Sequence, residues 1–340
     1  MGSESNPSTV RDFTVYLTRR FPEPVSRILE PLFEITLNDS NSPVGRDELL
    51  SQLETADGLL CTLSDEIDGE ALARAQRLKI VSTYSAGYDH IDVDVATNRG
   101  IYVTNTPDVL TDATADLTLA LMLALSRRVV EGHNFVISRE WDMPWFPSFM
   151  LGSDLSKKTI GIIGFGRIGR AVAKRARGFG MKIRYHNSVQ VSKAVEVELD
   201  ARYSPLETLL MESDFVSIHL PLTNKTRNLI SYEMIKLMKR SAYLINTSRG
   251  MIVDESGLAD ALRREEIAGA GLDVFNTEPL TESSPLLEVN NILLTPHLGS
   301  ATVGTRYRMG EMAASNIRNV LLGIEPVSLV NSEVRRRRPL

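Results

Sequence analysis

Short apolar runs alternate with longer amphipathic segments along nearly the whole chain. "FTVYL" (13–17), "FEITL" (33–37), "GLLC" (58–61), "LKIVST" (78–83) and the run inside "GIYVTNTP" (100–107) have the length and composition of buried strands. Helical spacing falls between them, near 22–30, 46–53 and 67–76. From Thr111 the pattern becomes "TDATADLTLALMLALSRRVVEGHNFV", rich in Ala and Leu and nearly free of breakers, which predicts one long helix. An irregular stretch follows, with the aromatic-rich "WDMPWFPSFM" (141–150). A second strand-and-helix series then begins at "KKTIGIIGFG". Its further strands are expected at 181–185, 214–220, 241–247, 268–274 and 291–297, and 301–323 is again helical.

This rhythm predicts an α/β protein with two doubly wound units, each a parallel sheet with helices on both faces. A length of 340 residues suits two domains, and a hydrophobic content of 43% gives each a core. Periodicity alone leaves open whether the last helix packs on the second unit or returns to the first.

Charge narrows the function classes. With 43 acidic and 38 basic residues the net charge is -5, so nothing draws the whole chain to nucleic acid or to an anionic membrane. The basic run Arg335 to Arg338 is expected to be a solvated tail. The single cysteine, Cys61, excludes an internal disulfide and a Cys-rich metal site. The opening "MGSESNPSTVRDFTVYL" holds no apolar export segment, and Leu117 to Leu125 is too short to cross a bilayer. A cytoplasmic location is expected.

Candidate chemistry begins with Gly164, Gly166 and Gly169 in "GFGRIG", which follows a buried strand and opens a helix. The first two glycines would allow a tight turn and close approach of a diphosphate, and the third close packing of helix on strand. The next strand ends in "RYHNS", where NAD sites carry a ribose-binding carboxylate. Here His186, Asn187 and Ser188 offer hydrogen bonds instead, with Lys193 able to fold back. The lack of a carboxylate favours NADP(H), although no arginine stands nearby to clasp a 2′-phosphate, which keeps NAD(H) or dual use open.

Three later strand ends carry polar groups: Arg249 in "LINTSRG", Asp273 and Glu278 in "GLDVFNTEP", and His297 in "TPHLGSAT". Ligands collect beyond the carboxyl ends of parallel strands, so these four can converge. Their chemistry suits reduction of an oxoacid. The guanidinium fork of Arg249 matches a substrate carboxylate, a protonated His297 can supply a proton to the carbonyl oxygen, and Glu278 would favour the imidazolium and fix its ring. Taken singly, each also has a plainer role: His297 as a satisfied strand-end histidine, Arg249 as partner of a surface acid, Asp273 as a cap, Glu278 as a solvent-facing turn.

Taken together, "GFGRIG", "HLPLTNKT", "INTSRG", "DESGLADAL", "AGAGLDVFNTEP" and "TPHLGSAT" strongly resemble the D-isomer-specific 2-hydroxyacid dehydrogenases, over about residues 12–332. The stretch "SAGYDHIDVDVATNRGIYVTNTPDVLTDATADLTLALML" (85–123) is especially similar to glyoxylate and hydroxypyruvate reductases. The resemblance implies a Rossmann nucleotide-binding domain (107–298) inserted into a flavodoxin-like substrate domain (1–106 with 299–340). It also implies a homodimer acting on a small 2-oxoacid or 2-hydroxyacid. It implies Arg249, Glu278 and His297 as the catalytic set, and Ser85, Ala86 and Gly87 as amides that bind the substrate carboxylate with Arg249 and His297. Gly166, Arg167 and Ile168 would meet the diphosphate. Thr114, Leu220, Pro221, Thr226, Thr247, Asp273 and Gly299 would line the rest of the dinucleotide. The aromatic 141–150 segment would lie near a dimer contact or the mouth of the site. Other readings are an enzyme for a bulkier D-2-hydroxyacid or for phosphite, and a dinucleotide-sensing regulator on the same fold.

Overall fold

The computed structural model describes residues 12–340; the polar opening of the chain up to residue 11 lies outside the described residues. The chain divides into two compact units. One runs through Leu110 and takes up again at Thr302–Leu340; the other is Thr111–Ala301. The breaks fall a few residues beyond 106 and 298; near the first, the Thr106 amide donates to the Ser85 carbonyl at 2.8 Å and holds the chain on the first unit.

The first unit is built on five parallel strands: β1 (Thr14–Leu17), β2 (Glu34–Leu37), β3 (Gly58–Cys61), β4 (Ile80–Thr83) and β5 (Tyr102–Thr104), in the order β2-β1-β3-β4-β5. This is the order of flavodoxin-like sheets. β3 and β4 are buried along their whole length, as strands covered on both faces are, and the Ser82 and Thr83 hydroxyls that end β4 are hydrogen-bonded to the Ala313 carbonyl and to Ser85 Oγ. Asp68 and Asp92 cap helices Gly69–Arg74 and Val93–Asn98 by accepting from the amides of Ala71 and Val95.

Helix Val303–Leu321 belongs to this unit. Ile317 Cγ2 stands only 3.3 Å from where a Gly58 Cβ would be, and Ser82 Oγ donates to the Ala313 carbonyl at 3.1 Å. After it, Val330 donates to the Val103 carbonyl, and the Asn331 side chain accepts from the Val103 amide and donates to Ile101 O and Thr97 Oγ1. The arginine run is therefore no loose tail. Val334 is buried, Arg335 pairs with Glu325, Tyr102 Oη donates to the Arg338 carbonyl, and Arg338 reaches the Leu78 carbonyl. Only the side chains of Arg335, Arg336 and Arg337 stay exposed. The apolar Val334 between polar neighbours supplies the anchor.

The second unit carries seven parallel strands: β6 (Thr159–Ile163), β7 (Lys182–His186), β8 (Ala201–Tyr203), β9 (Phe215–Ile218), β10 (Tyr243–Asn246), β11 (Gly269–Leu272) and β12 (Ile292–Leu294). Their order, β12-β11-β10-β9-β6-β7-β8, is that of a dinucleotide-binding sheet, with the topological switch between β6 and β9. β8 is an addition to the strands expected from the sequence. The long helix is in fact two, Thr111–Ser126 and Val129–Ile137. Arg128 takes a left-handed φ of 54°, and the Ser126 carbonyl is claimed by the Ser153 amide at 2.7 Å. Gly152 makes this approach possible, since a Cβ there would fall 2.3 Å from the same oxygen. Among the described residues no helix is long and apolar enough to cross a membrane.

Candidate active site

The three glycines of the loop after β6 answer to three different constraints. Gly164 has φ +95°, and a Cβ on it would lie 2.5 Å from the His219 carbonyl oxygen, where the β9 strand ends. A Cβ on Gly169 would lie 2.2 Å from the Gly164 carbonyl oxygen, so this glycine lets the helix pack on the loop. Gly166 faces open space and starts helix Arg167–Gly178 with no side-chain cap. A Gly-lined loop running into an uncapped first turn at the switch point fits the diphosphate of a dinucleotide, which binds helix amides and the positive end of the helix dipole.

At the end of β7 no carboxylate faces this loop. His186 Nδ1 donates to the Ser204 carbonyl at 3.1 Å. Asn187 accepts from the Phe165 amide and donates to the Val189 carbonyl, so its side chain shapes the turn, while Ser188 is exposed. Lys193 does not fold back: its ammonium pairs with Glu196 at 3.0 Å. Glu196 in turn is buried and accepts from Gln190 and the Tyr185 hydroxyl, each at 2.8 Å. Gln190 first, then Lys193 and Tyr185, hold its carboxyl down to about 2.

A buried chain of hydroxyls links four positions beside the sheet. Thr114 Oγ1 donates to the Gly299 carbonyl, Thr118 Oγ1 donates to the Thr114 carbonyl, and Thr118 and Thr247 share a hydroxyl contact at 3.0 Å. Leu220 is tied to β10's exit through Ser248 Oγ, which donates to its carbonyl at 2.7 Å. Thr226 closes its own loop, donating to the Pro221 carbonyl at 2.7 Å and accepting from the Thr223 amide.

The polar strand ends meet beyond β10, β11 and β12. Asp273 follows β11 and is fully buried; its carboxylate accepts from Thr295 Oγ1 (2.6 Å), the Leu298 amide (2.6 Å) and the Gly299 amide (2.8 Å). Burial pushes this carboxyl up, against the pull of Thr295, the two amides and the His297 charge. Its backbone carbonyl accepts the His297 amide at 3.0 Å, and His297 sits in the left-handed region at φ 54°. His297 Nδ1 lies 2.7 Å from Glu278 Oε2, with each side chain about a third exposed. Glu278 Oε1 accepts the Phe275 amide at 3.0 Å. Burial alone would raise the Glu278 carboxyl, but the His297 hydrogen bond and charge, the Phe275 amide and Arg249 outweigh it, and the group lies below the ordinary glutamate range. An ionised Glu278 accepts a hydrogen bond from Nδ1–H, which leaves Nε2 as the ring atom that can exchange a proton with a ligand.

Arg249 is half-buried after β10, and its Nη1 donates to the Ser248 carbonyl at 2.8 Å. Its turn is shaped by Asn246, whose amide donates to the Arg249 carbonyl and whose oxygen accepts from the Ser248 amide. Gly250 then passes against the 275–276 turn, where a Cβ would stand 2.0 Å from the Phe275 carbonyl carbon. Arg249, Asp273, Glu278 and His297 are thus brought together by three neighbouring strand exits. Asn246, Thr118, Thr295 and Ser248 were not singled out from the sequence. Small polar residues at strand ends carry no spacing signal of their own.

Ser85, Ala86 and Gly87 lie in the first unit, after β4. Their carbonyls are tied down by the Thr106 amide, the Asn105 side chain and the Ser85 hydroxyl respectively. Thr83 Oγ1 shares a contact with Ser85 Oγ at 2.8 Å and with His90 Nε2 at 3.0 Å, which steadies the segment from below.

Residues 119–299 match the family model for the NAD-binding domain of D-isomer-specific 2-hydroxyacid dehydrogenases. A glyoxylate reductase of Thermofilum pendens is 48% identical over 327 residues, covering 96% of each chain. Among solved structures, a protein of Thermus thermophilus superposes with a TM-score of 0.87 at 45% identity, over 93% of this chain and 99% of that one. The NADPH-dependent glyoxylate/hydroxypyruvate reductase of Sinorhizobium meliloti, solved with NADP and malonate, does so with 0.81 at 30% identity, over 94% and 97%. With the dinucleotide sheet, its glycine loop and the paired carboxylate and imidazole in place, the chain belongs to the D-isomer-specific 2-hydroxyacid dehydrogenases, a family of oxidoreductases that use a nicotinamide dinucleotide.

Proposed function

We propose that this enzyme reduces small 2-oxoacids, glyoxylate and hydroxypyruvate foremost, to 2-hydroxyacids. The observation that carries the reading is the 2.7 Å pairing of His297 Nδ1 with Glu278, with Arg249 near enough to bear on the same carboxylate. When bound, the nicotinamide supplies the hydride. Arg249 holds the substrate carboxylate through its planar fork. As the carbonyl carbon gains its new C–H bond, the carbonyl electron pair moves to oxygen, which takes the proton from His297 Nε2. Glu278 stabilises the ring in the protonated state that this step consumes. In the first unit, Ser85, Ala86 and Gly87 are assigned to the carboxylate as well, because their bonded carbonyls leave the amide side for an anion. Relatives named as glyoxylate and hydroxypyruvate reductases support the choice of substrate.

The dinucleotide is assigned to Gly164, Gly166, Arg167, Ile168 and Gly169 at the diphosphate. His186, Asn187 and Ser188 take the adenosine side, with Leu220, Pro221 and Thr226 in the loop after β9 also beside the dinucleotide. Thr114, Thr247, Asp273 and Gly299 take the nicotinamide side. NADP(H) is the favoured form, supported by the absence of a carboxylate after β7 that would repel a 2′-phosphate. A cytoplasmic location goes with this reading. So does a homodimer, supported by a run of exposed apolar side chains on 129–151, among them Ile137 at 68% and Trp145 at 74% exposure.

Initial rates with glyoxylate and hydroxypyruvate, each with NADPH and with NADH, test the proposal alongside His297→Ala. Turnover with NADPH that falls by at least about a thousandfold in His297→Ala is expected. A fully active His297→Ala enzyme would remove the assigned role, an NADH preference would overturn the coenzyme assignment, and binding without turnover would favour a sensor.

A further inference from the structure

Glu255 is the first residue of helix Glu255–Arg263, yet it does not serve that helix's amides. The cap is Asp254, which accepts from Gly257 at 3.1 Å. The Glu255 carboxylate turns instead to the loop after β11, where Oε1 accepts the Asn276 amide at 2.5 Å. The neighbouring amide, that of Phe275, goes to Glu278. Two consecutive N–H groups are thus divided between two carboxylates, one of which holds His297. The same loop rests on Gly250, where a Cβ would be 2.5 Å from the Asn276 nitrogen. The short segment 249–255 therefore carries Arg249 at one end and grips the loop of Glu278 at two points.

Helix starts are already served by the Asp254 side chain, so a second carboxylate half-buried against Glu278 is unfavourable for folding alone. Burial pushes the Glu255 carboxyl up, the Asn276 amide pulls it down, and the Glu278 charge pushes it up again. The charged groups facing Glu278 are His297, Arg249 and Glu255, while Asp273 bears on His297 from behind.

We infer that Glu255 is a positioning residue for proton transfer: it fixes the 275–278 turn that presents Glu278 to His297, and it adds a second negative charge behind that pair. The inference rests on reading Glu278 and His297 as the proton-transfer pair. A negative charge there favours the protonated pair, so its removal makes the pair release its proton at lower pH. Reduction, which consumes that proton, then fails earlier on the alkaline side.

Glu255→Gln keeps an acceptor oxygen for the Asn276 amide and removes only the charge. Its expected signature is an alkaline limb of the pH–kcat profile for glyoxylate reduction moved down by about half a pH unit or more. Glu255→Ala also frees the turn, and is expected to lower kcat about tenfold with a smaller change in KM. If Glu255→Ala does not fold, Glu255→Gln decides. A Glu255→Gln profile that overlays the parent overturns the inference. His297→Ala run in parallel separates the two claims: an inactive His297→Ala with an unmoved Glu255→Gln limb overturns the role of Glu255 alone, whereas a fully active His297→Ala overturns the reading beneath it.

Discussion

Gly164 passes so close beneath the end of β9 that a single added methyl would lie 2.5 Å from the His219 carbonyl oxygen and 2.9 Å from the Leu220 nitrogen. Both obstacles are backbone, and the φ of +95° already excludes most side chains. Gly164→Ala must therefore move the loop. We expect dinucleotide affinity to fall by about 10- to 100-fold, with the rest of the sheet intact by circular dichroism, since local strain of this kind costs about 1–3 kcal/mol. Titration of the coenzyme by fluorescence checks it, and an unchanged dissociation constant would show that the loop does not meet the diphosphate.

The Asp273 carboxylate holds the 295–299 turn by three donors, the Thr295 hydroxyl and the Leu298 and Gly299 amides, and all three need oxygen acceptors. Asp273→Asn turns one of those oxygens into a donor facing a donor, which costs about 1–3 kcal/mol. The left-handed His297 depends on the same clasp, so kcat should fall along with the urea midpoint. Loss of stability with undiminished kcat would show that the ring is held by other means.

His219 adds a pH-dependent term. Burial lowers its pKa from 6.5 to about 3, and its Nε2 contacts the Ser217 hydroxyl at 2.8 Å. The fold therefore keeps a neutral ring while the unfolded chain binds a proton below 6.5, so this contribution is complete above 6.5 and drains away as pH falls toward 3. Replacing it by Gln should flatten the stability–pH curve over that window, read from urea melts at several pH values. A curve parallel to the parent would mean the ring is protonated in the fold.

Ile137 and Trp145 are exposed in the isolated chain although both are strongly apolar. The double change Ile137→Glu and Trp145→Glu should convert a dimer to a monomer in light scattering at micromolar concentration. A parent that is itself monomeric would leave the exposed run without that explanation.

Much of the architecture was legible because it depends on local composition. β3 and β6 stand out as short, largely apolar runs and β4 by its apolar start before Ser82 and Thr83, and the glycine loop follows its strand directly. Arg249, Glu278 and His297 could be picked out because each follows an apolar run. The helix break at Arg128 was hidden, since nothing nearby disfavours helix; the cause is Ser153 taking a carbonyl from a distant part of the sequence. Glu255 was hidden for the opposite reason. "VDES" reads fully as a helix start, and only the folded chain shows its carboxylate turned toward Asn276. Lys193 and the arginine run went astray where flexible, charged side chains chose among several partners.

The first unit closes only with residues translated after the whole of the second. Helix Val303–Leu321 and the Asn331 side chain complete the sheet that begins at Thr14, and the whole of the second unit is synthesised in between. During translation the β3–β4 face must wait, apolar and uncovered, while the dinucleotide sheet is already whole. A nascent chain from which residues through Ala301 have emerged, but not Thr302–Leu340, would thus carry one complete unit and one open sheet.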